Sequence, residues 1–299
     1  LPTTIESMQP RTENDGGPLS PTALVTGATA GIGESVARGL AQRGWRVLVH
    51  GRTPETAAAA VRRLGAFGDR CVPIAADLEA LDNVADLTRQ VRVHAPSGLA
   101  ALVNNAGAAF PARRLSSDGV ERTIAVNHLA AAALTVMLEP LLRKSDVRGE
   151  PARVVMVTSY LEARAQPVSD WTYAKGWGQL RAYAYSKLAN LAFAYLLARQ
   201  WSDEIGVYMV DPGGVRSNFQ RRAGGPLRAI GALGGAFMSS PQEAARGVVD
   251  AVALAPIGPT GSYIRAGRVR TSSKRSRDPE FQSDIAQQTN RLIDARQAR

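Results

Sequence analysis

Beginning at Thr22, short runs rich in Val, Ile and Leu recur along the chain, separated by longer stretches whose apolar residues repeat at helical spacing. The short runs are ALVTG, RVLVHGR, CVPIAADL, LAALVNNAG, RVVMVTSY, GVYMVDPGG and GSYIRAG. Helix-like segments such as ESVARGLAQRG, LEALDNVADL and TIAVNHLAAAALTVML fill the gaps. Strands alternating with helices predict parallel βαβ units. The expected fold is α/β: a doubly wound, seven-stranded parallel sheet with helices on both faces, in a single domain over 21–267. A polar flexible arm is expected over 1–20, and a basic extension with a helix over 268–299. Ligands of such sheets sit beyond the carboxyl ends of the strands, so chemistry is sought just after each run.

The stretch Tyr183-Ala184-Tyr185-Ser186-Lys187 lies in LRAYAYSKLANLAFAYLLARQ, which reads as one amphipathic helix. Residues four apart share a helix face, so the Tyr183 hydroxyl and the Lys187 ammonium reach one small volume. A tyrosine titrates near pH ~10, and a nearby cation favours its phenolate, drawing it toward the range of a general acid. Any helix can carry such a pair without chemistry. The chain, however, has only four lysines (Lys144, Lys175, Lys187 and Lys274) among 36 basic residues, and a lysine where arginine is the habit hints at a requirement.

After the first run comes Thr26-Gly27-Ala28-Thr29-Ala30-Gly31-Ile32-Gly33, followed at once by a helix. Glycines there allow a tight turn and let backbone amides and the helix dipole meet a pyrophosphate, which makes the sheet Rossmann-type. Gly27, Thr29, Ala30, Gly31, Ile32 and Gly33 are the candidate contacts. At the end of the second run an acid would bond the ribose of NAD and an arginine would accommodate the 2′-phosphate of NADP; the chain has His50-Gly51-Arg52, so Arg52 favours NADP(H). Glu55 follows Pro54 and is expected to start the next helix. Asp77 and Leu78 end the third run, where the carboxylate suits an adenine amine or, equally, a helix cap. Asn104, Ala106 and Gly107 close the fourth, small enough to leave room for a flat ring, although a plain turn has the same composition. Asn127 lies in an apolar helix, where a buried amide needs partners; His128 beside it reads as structural. Ser159 follows the fifth run and faces the crevice. Residues 160–182 form an insert over the site, with Trp171 and Trp177 read as pinning it rather than lining a pocket. Pro212, Gly213, Val215 and Ser217 follow the sixth run, where extended backbone and a hydroxyl suit a nicotinamide amide. A Gly-rich stretch over 216–240 reads as a lid.

Composition adds bounds. The net charge of +10 comes from two acid-free stretches, one holding Arg216, Arg221, Arg222 and Arg228, the other Arg265, Arg268, Arg270, Lys274, Arg275 and Arg277. No aromatic interleaving accompanies them, so nucleic acid is an unfavoured partner, and an anionic substrate or partner explains the charge as well. Cys71 is the single cysteine, which excludes an internal disulfide framework and a cysteine metal site; no metal is expected. HLAAAALTVML is short of the ~20 residues of a membrane span and ends at Glu139-Pro140. A cytoplasmic location is the default expectation.

Taken together, TGATAGIG, NNAG, Asn127, Ser159, YAYSK and DPGGVRS resemble the short-chain dehydrogenase/reductase family over Thr22 to Gly267. YAYSKLANLAFAYLLAR and the long insert further resemble the branch containing retinol dehydrogenases and protochlorophyllide reductase. The resemblance implies a catalytic tetrad of Asn127, Ser159, Tyr183 and Lys187, with Lys187 bonding the nicotinamide ribose and Asn127 holding a water. It implies a small-molecule carbonyl or alcohol substrate, anionic or carrier-bound in one version, and a homodimer or homotetramer assembled through helices four and five. Ser217 stands where the family often has threonine, and Ala30 where NADP-preferring relatives often carry a basic residue. The expected function is NADPH-dependent interconversion of a ketone or aldehyde and an alcohol, reduction favoured, with a bacterial biosynthetic ketoreductase as the working picture. The alternatives are another NADP-dependent reaction on the same fold, such as alkene reduction, dehydration or epimerisation, and a non-catalytic NADP(H) sensor.

Overall fold

The fold was obtained as a computed structural model, which describes residues 20–145, 149–202, 204–215, 239–253 and 258–297. The arm over 1–19 and most of the stretch read as a lid, including Ser217, lie outside the described residues.

Eight strands form one sheet in the order β3-β2-β1-β4-β5-β6-β7-β8. They are β1 (Thr22–Val25), β2 (Arg46–Gly51), β3 (Cys71–Ala75), β4 (Ala101–Asn104), β5 (Ala152–Val157), β6 (Ile205–Asp211), β7 (Tyr263–Arg265) and β8 (Arg268–Arg270). Each of the first seven pairs in parallel, so the seven sequence runs are the seven parallel strands. The eighth strand is the difference. It turns back antiparallel from β7 through Ala266 and Gly267, whose φ angles of 52° and 69° give the two left-handed positions of a tight hairpin. All three residues of β8 are exposed, so this edge strand leaves no apolar pattern to read.

Side chains alternate across the sheet and divide the core in two. Leu24 and Leu48 enter the layer under helices α3 (Leu81–His94), α4 (Arg122–Lys144), α5 (Gln179–Trp201) and α7 (Pro279–Gln297). Ala23, Val25, Val47 and Val49 enter the layer under α1 (Gly31–Gln42), α2 (Pro54–Leu64) and α6 (Pro241–Ala253). Strands buried on both faces read as continuous apolar runs, which is why they were legible. Cys71 is buried in the second layer, and its thiol is pushed up to about 11 by burial.

Two helices depart from their sequence patterns. α4 continues through Pro140 to Lys144, past the expected end, because Leu141 and Leu142 are buried and the Leu141 carbonyl accepts from the Leu99 amide. It is thus long and apolar enough by composition to cross a membrane, with 61 % of its most apolar window buried within the fold. α5 is not amphipathic in place: most of its length is buried, between the sheet and α7. The basic C-terminal extension is therefore part of the core. Phe281, Ile285 and Ile293 of α7 are buried, Thr289 Oγ1 lies 3.0 Å from His128 Nε2, Ser272 Oγ lies 2.7 Å from Tyr195 Oη, and Arg296 pairs with Asp82. An assembly through α5 would have to accommodate α7.

Truncating a buried aliphatic side chain costs its transfer free energy plus a cavity, about 2–5 kcal/mol. Ile285→Ala is expected to lower the unfolding free energy by that amount in urea titration; a change under ~0.5 kcal/mol, the size of a surface substitution, would show that α7 is only loosely attached.

Candidate active site

β1 and β4 diverge in topology at the centre of the sheet, and the turns that follow them are in van der Waals contact. Gly27 has φ 62°, and a Cβ there would fall 2.8 Å from Ala106 Cα. A Cβ on Gly33 would fall 2.4 Å from both Asn105 Nδ2 and the Gly27 carbonyl oxygen. Asn105, which the sequence reading passed over, ties the two turns: its Nδ2 donates to the Thr26 carbonyl at 2.7 Å and to the Gly27 carbonyl at 3.2 Å. The Thr26 hydroxyl donates to Val103 O and accepts from the amides of Asn105 and Ala106. His50 completes the staple from β2. Its Nδ1 accepts from the Gly27 amide at 3.1 Å, which leaves Nε2 to donate to Ala76 O at 3.0 Å. That tautomer is neutral, and burial pushes the imidazole down to about 4.

Ala30 is the extended N-cap of α1 and supplies no side-chain cap, so the first amides of the helix, at Gly31, Ile32 and Gly33, have no side chain across them. With two glycines that admit no Cβ, the turn fits a pyrophosphate. Arg52 is exposed at the carboxyl end of β2. Glu55 sits in the first turn of α2, as its place after Pro54 implied. Arg63, from α2, donates through Nη2 to the Thr29 carbonyl at 2.7 Å while pairing with Glu34 at 3.0 Å, bringing a second guanidinium to the loop that sequence spacing did not reveal. Asp77 does not cap α3, whose N-cap is Ala80; its Oδ1 accepts from Glu79 N at 3.1 Å, and Leu78 is buried beside it. Asn104 turns its amide inward, with Nδ2 donating to Thr135 Oγ1 at 2.9 Å. Gly213 donates its amide to Asp211 Oδ1, and Pro212 and Val215 extend beyond β6.

The tetrad residues converge beyond β4 and β5. Ser159 lies close enough to Tyr183 to act on its phenol, and its Oγ accepts from the Leu161 amide at 3.3 Å. Lys187 is buried; its Nζ donates to Val157 O at 2.9 Å and lies 5.8 Å from the centre of the Tyr183 ring. A Cβ on Gly107 would be 3.5 Å from Asn127 Oδ1 and 3.6 Å from Lys187 Nζ, so the backbone at Gly107 looks onto both. Asn127 is clamped: Oδ1 accepts from the Ala108 amide at 2.7 Å, while Nδ2 donates to Ala108 O and Ser186 Oγ, each at 2.9 Å. It stands in a π-helical segment, Ala125–Leu129, where the regular ladder is interrupted and carbonyls become available, and its own carbonyl accepts from Asn190 Nδ2 at 2.8 Å. Asn190 Oδ1 in turn lies 3.0 Å from His128 Nδ1, so His128 is structural, held neutral and pushed down to about 4 by burial.

The charges around the tyrosine differ from the simple expectation. Burial pushes the Tyr183 phenol up to about 12, with the neighbouring Ser159 hydroxyl acting against it, and Lys187, contrary to the helical-spacing expectation, is not among the groups that shift it. Burial likewise pushes Lys187 down to about 8, opposed by the Asp211 carboxylate. Asp211 is a further residue that the sequence reading did not select. Wholly buried at the end of β6, it accepts from Tyr263 Oη at 2.8 Å and pairs with Arg265 at 3.4 Å. The insert is pinned as expected. Trp171 Nε1 donates to Tyr185 Oη at 2.8 Å and its ring meets His128 edge-on, while Trp177 Nε1 donates to Glu121 at 3.2 Å.

A glycine-rich turn against the first helix, with a Ser-Tyr-Lys cluster beyond the strand ends, is the arrangement of a nucleotide-dependent oxidoreductase. A family model described as short chain dehydrogenase matches residues 21–225, and the chain belongs to that family. It is 36 % identical over 282 residues to a polyprenol dehydrogenase of Mus musculus, covering 91 % of this chain and 84 % of the relative. It is 32 % identical over 232 residues to retinol dehydrogenase 11 of Mus musculus, covering 75 % and 70 %, in keeping with the branch that the YAYSK helix resembles. The Pseudomonas aeruginosa RhlG/NADP active-site complex superimposes with a TM-score of 0.67 at 28 % identity, covering 89 % of this chain and 98 % of that one.

The neutral His50 gives the loop an acid limit. Because its folded pKa lies below the ordinary 6.5, its contribution is complete above pH ~6.5 and is lost as pH falls toward 4, amounting to about 3 kcal/mol for a shift of this size. His50→Asn keeps an acceptor but does not titrate there. The stability difference between wild type and this variant is expected to shrink by that amount between pH 7 and pH 4 in denaturant titrations; a pH-independent difference would show that His50 does not carry the linkage.

Proposed function

We propose that this oxidoreductase uses NADP(H) to interconvert a ketone or aldehyde with an alcohol, reduction being the favoured direction. The observation that carries the reading is the gathering of Ser159, Tyr183 and the buried Lys187, with Nζ 5.8 Å from the Tyr183 ring and the Gly107 backbone looking onto Lys187 and Asn127. Arg52 supports NADP over NAD, with no acid at the position that would bond the ribose hydroxyls.

The amides of Gly31, Ile32 and Gly33 would hold the pyrophosphate, Arg52 the 2′-phosphate, and Lys187 the nicotinamide ribose; hydride is the chemistry such a cofactor supplies when bound. The chain's own residues do the rest. The Ser159 and Tyr183 hydroxyls donate to the substrate carbonyl oxygen and fix its orientation. Tyr183, protonated across the neutral range, gives its proton to the developing alkoxide. The Lys187 ammonium stabilises the phenolate left behind, and Asp211 keeps that ammonium charged against burial. Asn127 holds the Gly107–Ala108 backbone in place, and its carbonyl retains a second lone pair for a water on the path that reprotonates Lys187.

Fluorescence titration with NADPH and NADH, followed by NADPH oxidation against ketones and aldehydes, tests the reading. NADPH is expected to bind more tightly, and Tyr183→Phe to reduce kcat by about 10²–10⁴-fold, the usual worth of a positioned proton donor, while nucleotide affinity stays within a few fold. Tighter NADH binding would overturn the role of Arg52; NADPH binding without turnover of any carbonyl would favour a sensor or another reaction.

The reductive rate should also report Lys187. With its ammonium pushed down to about 8, kcat/KM for reduction is expected to fall as pH rises through that value. Asp211→Asn removes the carboxylate that favours the charged form, so the falling limb is expected to move to lower pH. A limb unmoved in Asp211→Asn would assign it to another group.

A further inference from the structure

A cavity of about 680 Å³ opens between the segment after the catalytic serine and the last hairpin of the sheet. One wall is the 3₁₀ turn Tyr160–Arg164, and the other is Tyr263, Arg265, Ala266 and the strand end from Arg270 to Ser273. Ser159 and Tyr183 do not line it, yet it adjoins them. Tyr160 directly follows Ser159 and is close enough to act electrostatically on the Tyr183 hydroxyl. The Arg265 guanidinium stacks over the Tyr160 ring at 4.8 Å and reaches Asp211, the carboxylate that acts on both Tyr183 and Lys187.

The charge of this cavity is one-sided. Arg164, Arg265 and Arg270 all line it. The single acid of the lining, Glu162, is buried and already engaged: Oε1 accepts from the Ser273 amide at 2.9 Å and Oε2 from the Ser273 hydroxyl at 2.6 Å. Burial moreover favours its neutral form. Arg265 is compensated by Asp211. Arg164 and Arg270 are exposed, and among the described residues neither has an acidic partner. The hairpin register sets Arg270 opposite Tyr263, so it projects from the same face as the tyrosine that bonds Asp211. Two uncompensated guanidinium forks across a space of ligand size match the planar, bidentate geometry of a carboxylate or phosphate.

We propose that this cavity is a subsite for an oxyanion, a carboxylate or phosphate at the far end of the carbonyl substrate, held by Arg164 and Arg270 while the carbonyl reaches Ser159 and Tyr183. The substrate class is thus a small oxo acid or oxo phosphate rather than a neutral ketone. This rests on the carbonyl–alcohol reading of the site.

The test uses a series of ω-oxo carboxylic acids of increasing chain length, each with its methyl ester and its phosphate-ended analogue. The ester has the same carbonyl and no charge, so the acid-to-ester ratio of kcat/KM isolates the subsite. The wild type is expected to prefer the anion by about 10–100-fold at the matching length, the worth of charge-assisted hydrogen bonds, and Arg164→Gln/Arg270→Gln to bring the ratio near one. Arg268→Gln removes a charge from the same hairpin outside the cavity and is expected to leave the ratio unchanged. A wild-type ratio near one at every length, or an equal loss in Arg268→Gln, overturns the proposal. Whether carboxylate or phosphate is preferred identifies the source of the oxyanion. Calorimetric binding of the corresponding saturated diacids, which needs no turnover, separates the two readings. Binding that disappears in the double variant upholds the subsite even if no carbonyl is reduced; absence of binding together with turnover of the neutral esters sinks the subsite and leaves the oxidoreductase reading intact.

Discussion

The close approach of two turns at the centre of the sheet is the constraint on which the site depends. Gly27 and Gly33 have no space for a Cβ because the turn after β4 lies against them. Asn105 and Thr26 then hold the two turns in register with five hydrogen bonds across the crevice floor. His50 adds a third strand to this contact, and it does so only as a neutral ring. The amides at the start of α1 are left facing outward, which is what an anionic cofactor requires. Had either turn been a residue bulkier at these points, the helix start and the strand ends could not meet at the distance they do.

The second determinant is a balance of burial against charge beyond β5 and β6. Burial pushes Lys187 toward its neutral form and holds Tyr183 protonated. Asp211 works against the first, and the neighbouring Ser159 hydroxyl against the second. Near neutral pH the phenol is thereby protonated and the ammonium largely charged, the states that the proposed reduction uses. Asp211 is itself steadied by Tyr263 and Arg265, residues of the last parallel strand, so the edge of the sheet participates in the electrostatics of its centre.

The C-terminal extension takes part in the same construction. Its serine at 273 engages Glu162 three residues after Ser159, and Thr289 of α7 meets His128 beside Asn127. Segments that composition marks only as basic and polar therefore brace the stretches that carry Ser159 and Asn127. Membership of the short-chain dehydrogenase family, with polyprenol and retinol dehydrogenases among its relatives, accounts for the nucleotide half of the molecule. The cavity wall formed by this extension lies beyond the residues that the family model matches, and it carries Arg270.

The sequence by itself determined the parallel layout and the places where chemistry sits. Doubly buried strands leave continuous apolar runs, Tyr183 and Lys187 are tied by helical spacing, and the glycine-rich turn is a local pattern. What it could not determine were matters of non-local contact. Asn105 reads like any turn residue until the first turn is laid against it, and Asp211 like a strand end until its burial near Lys187 is seen. β8 has three exposed residues and no apolar signal, and α5 reads as amphipathic because the helix that covers its other side comes some eighty residues later. Periodicity records how a segment meets the core, whereas pKa values, Cβ clearances and cavity charge arise only when distant segments share a volume, and tertiary structure alone decides that.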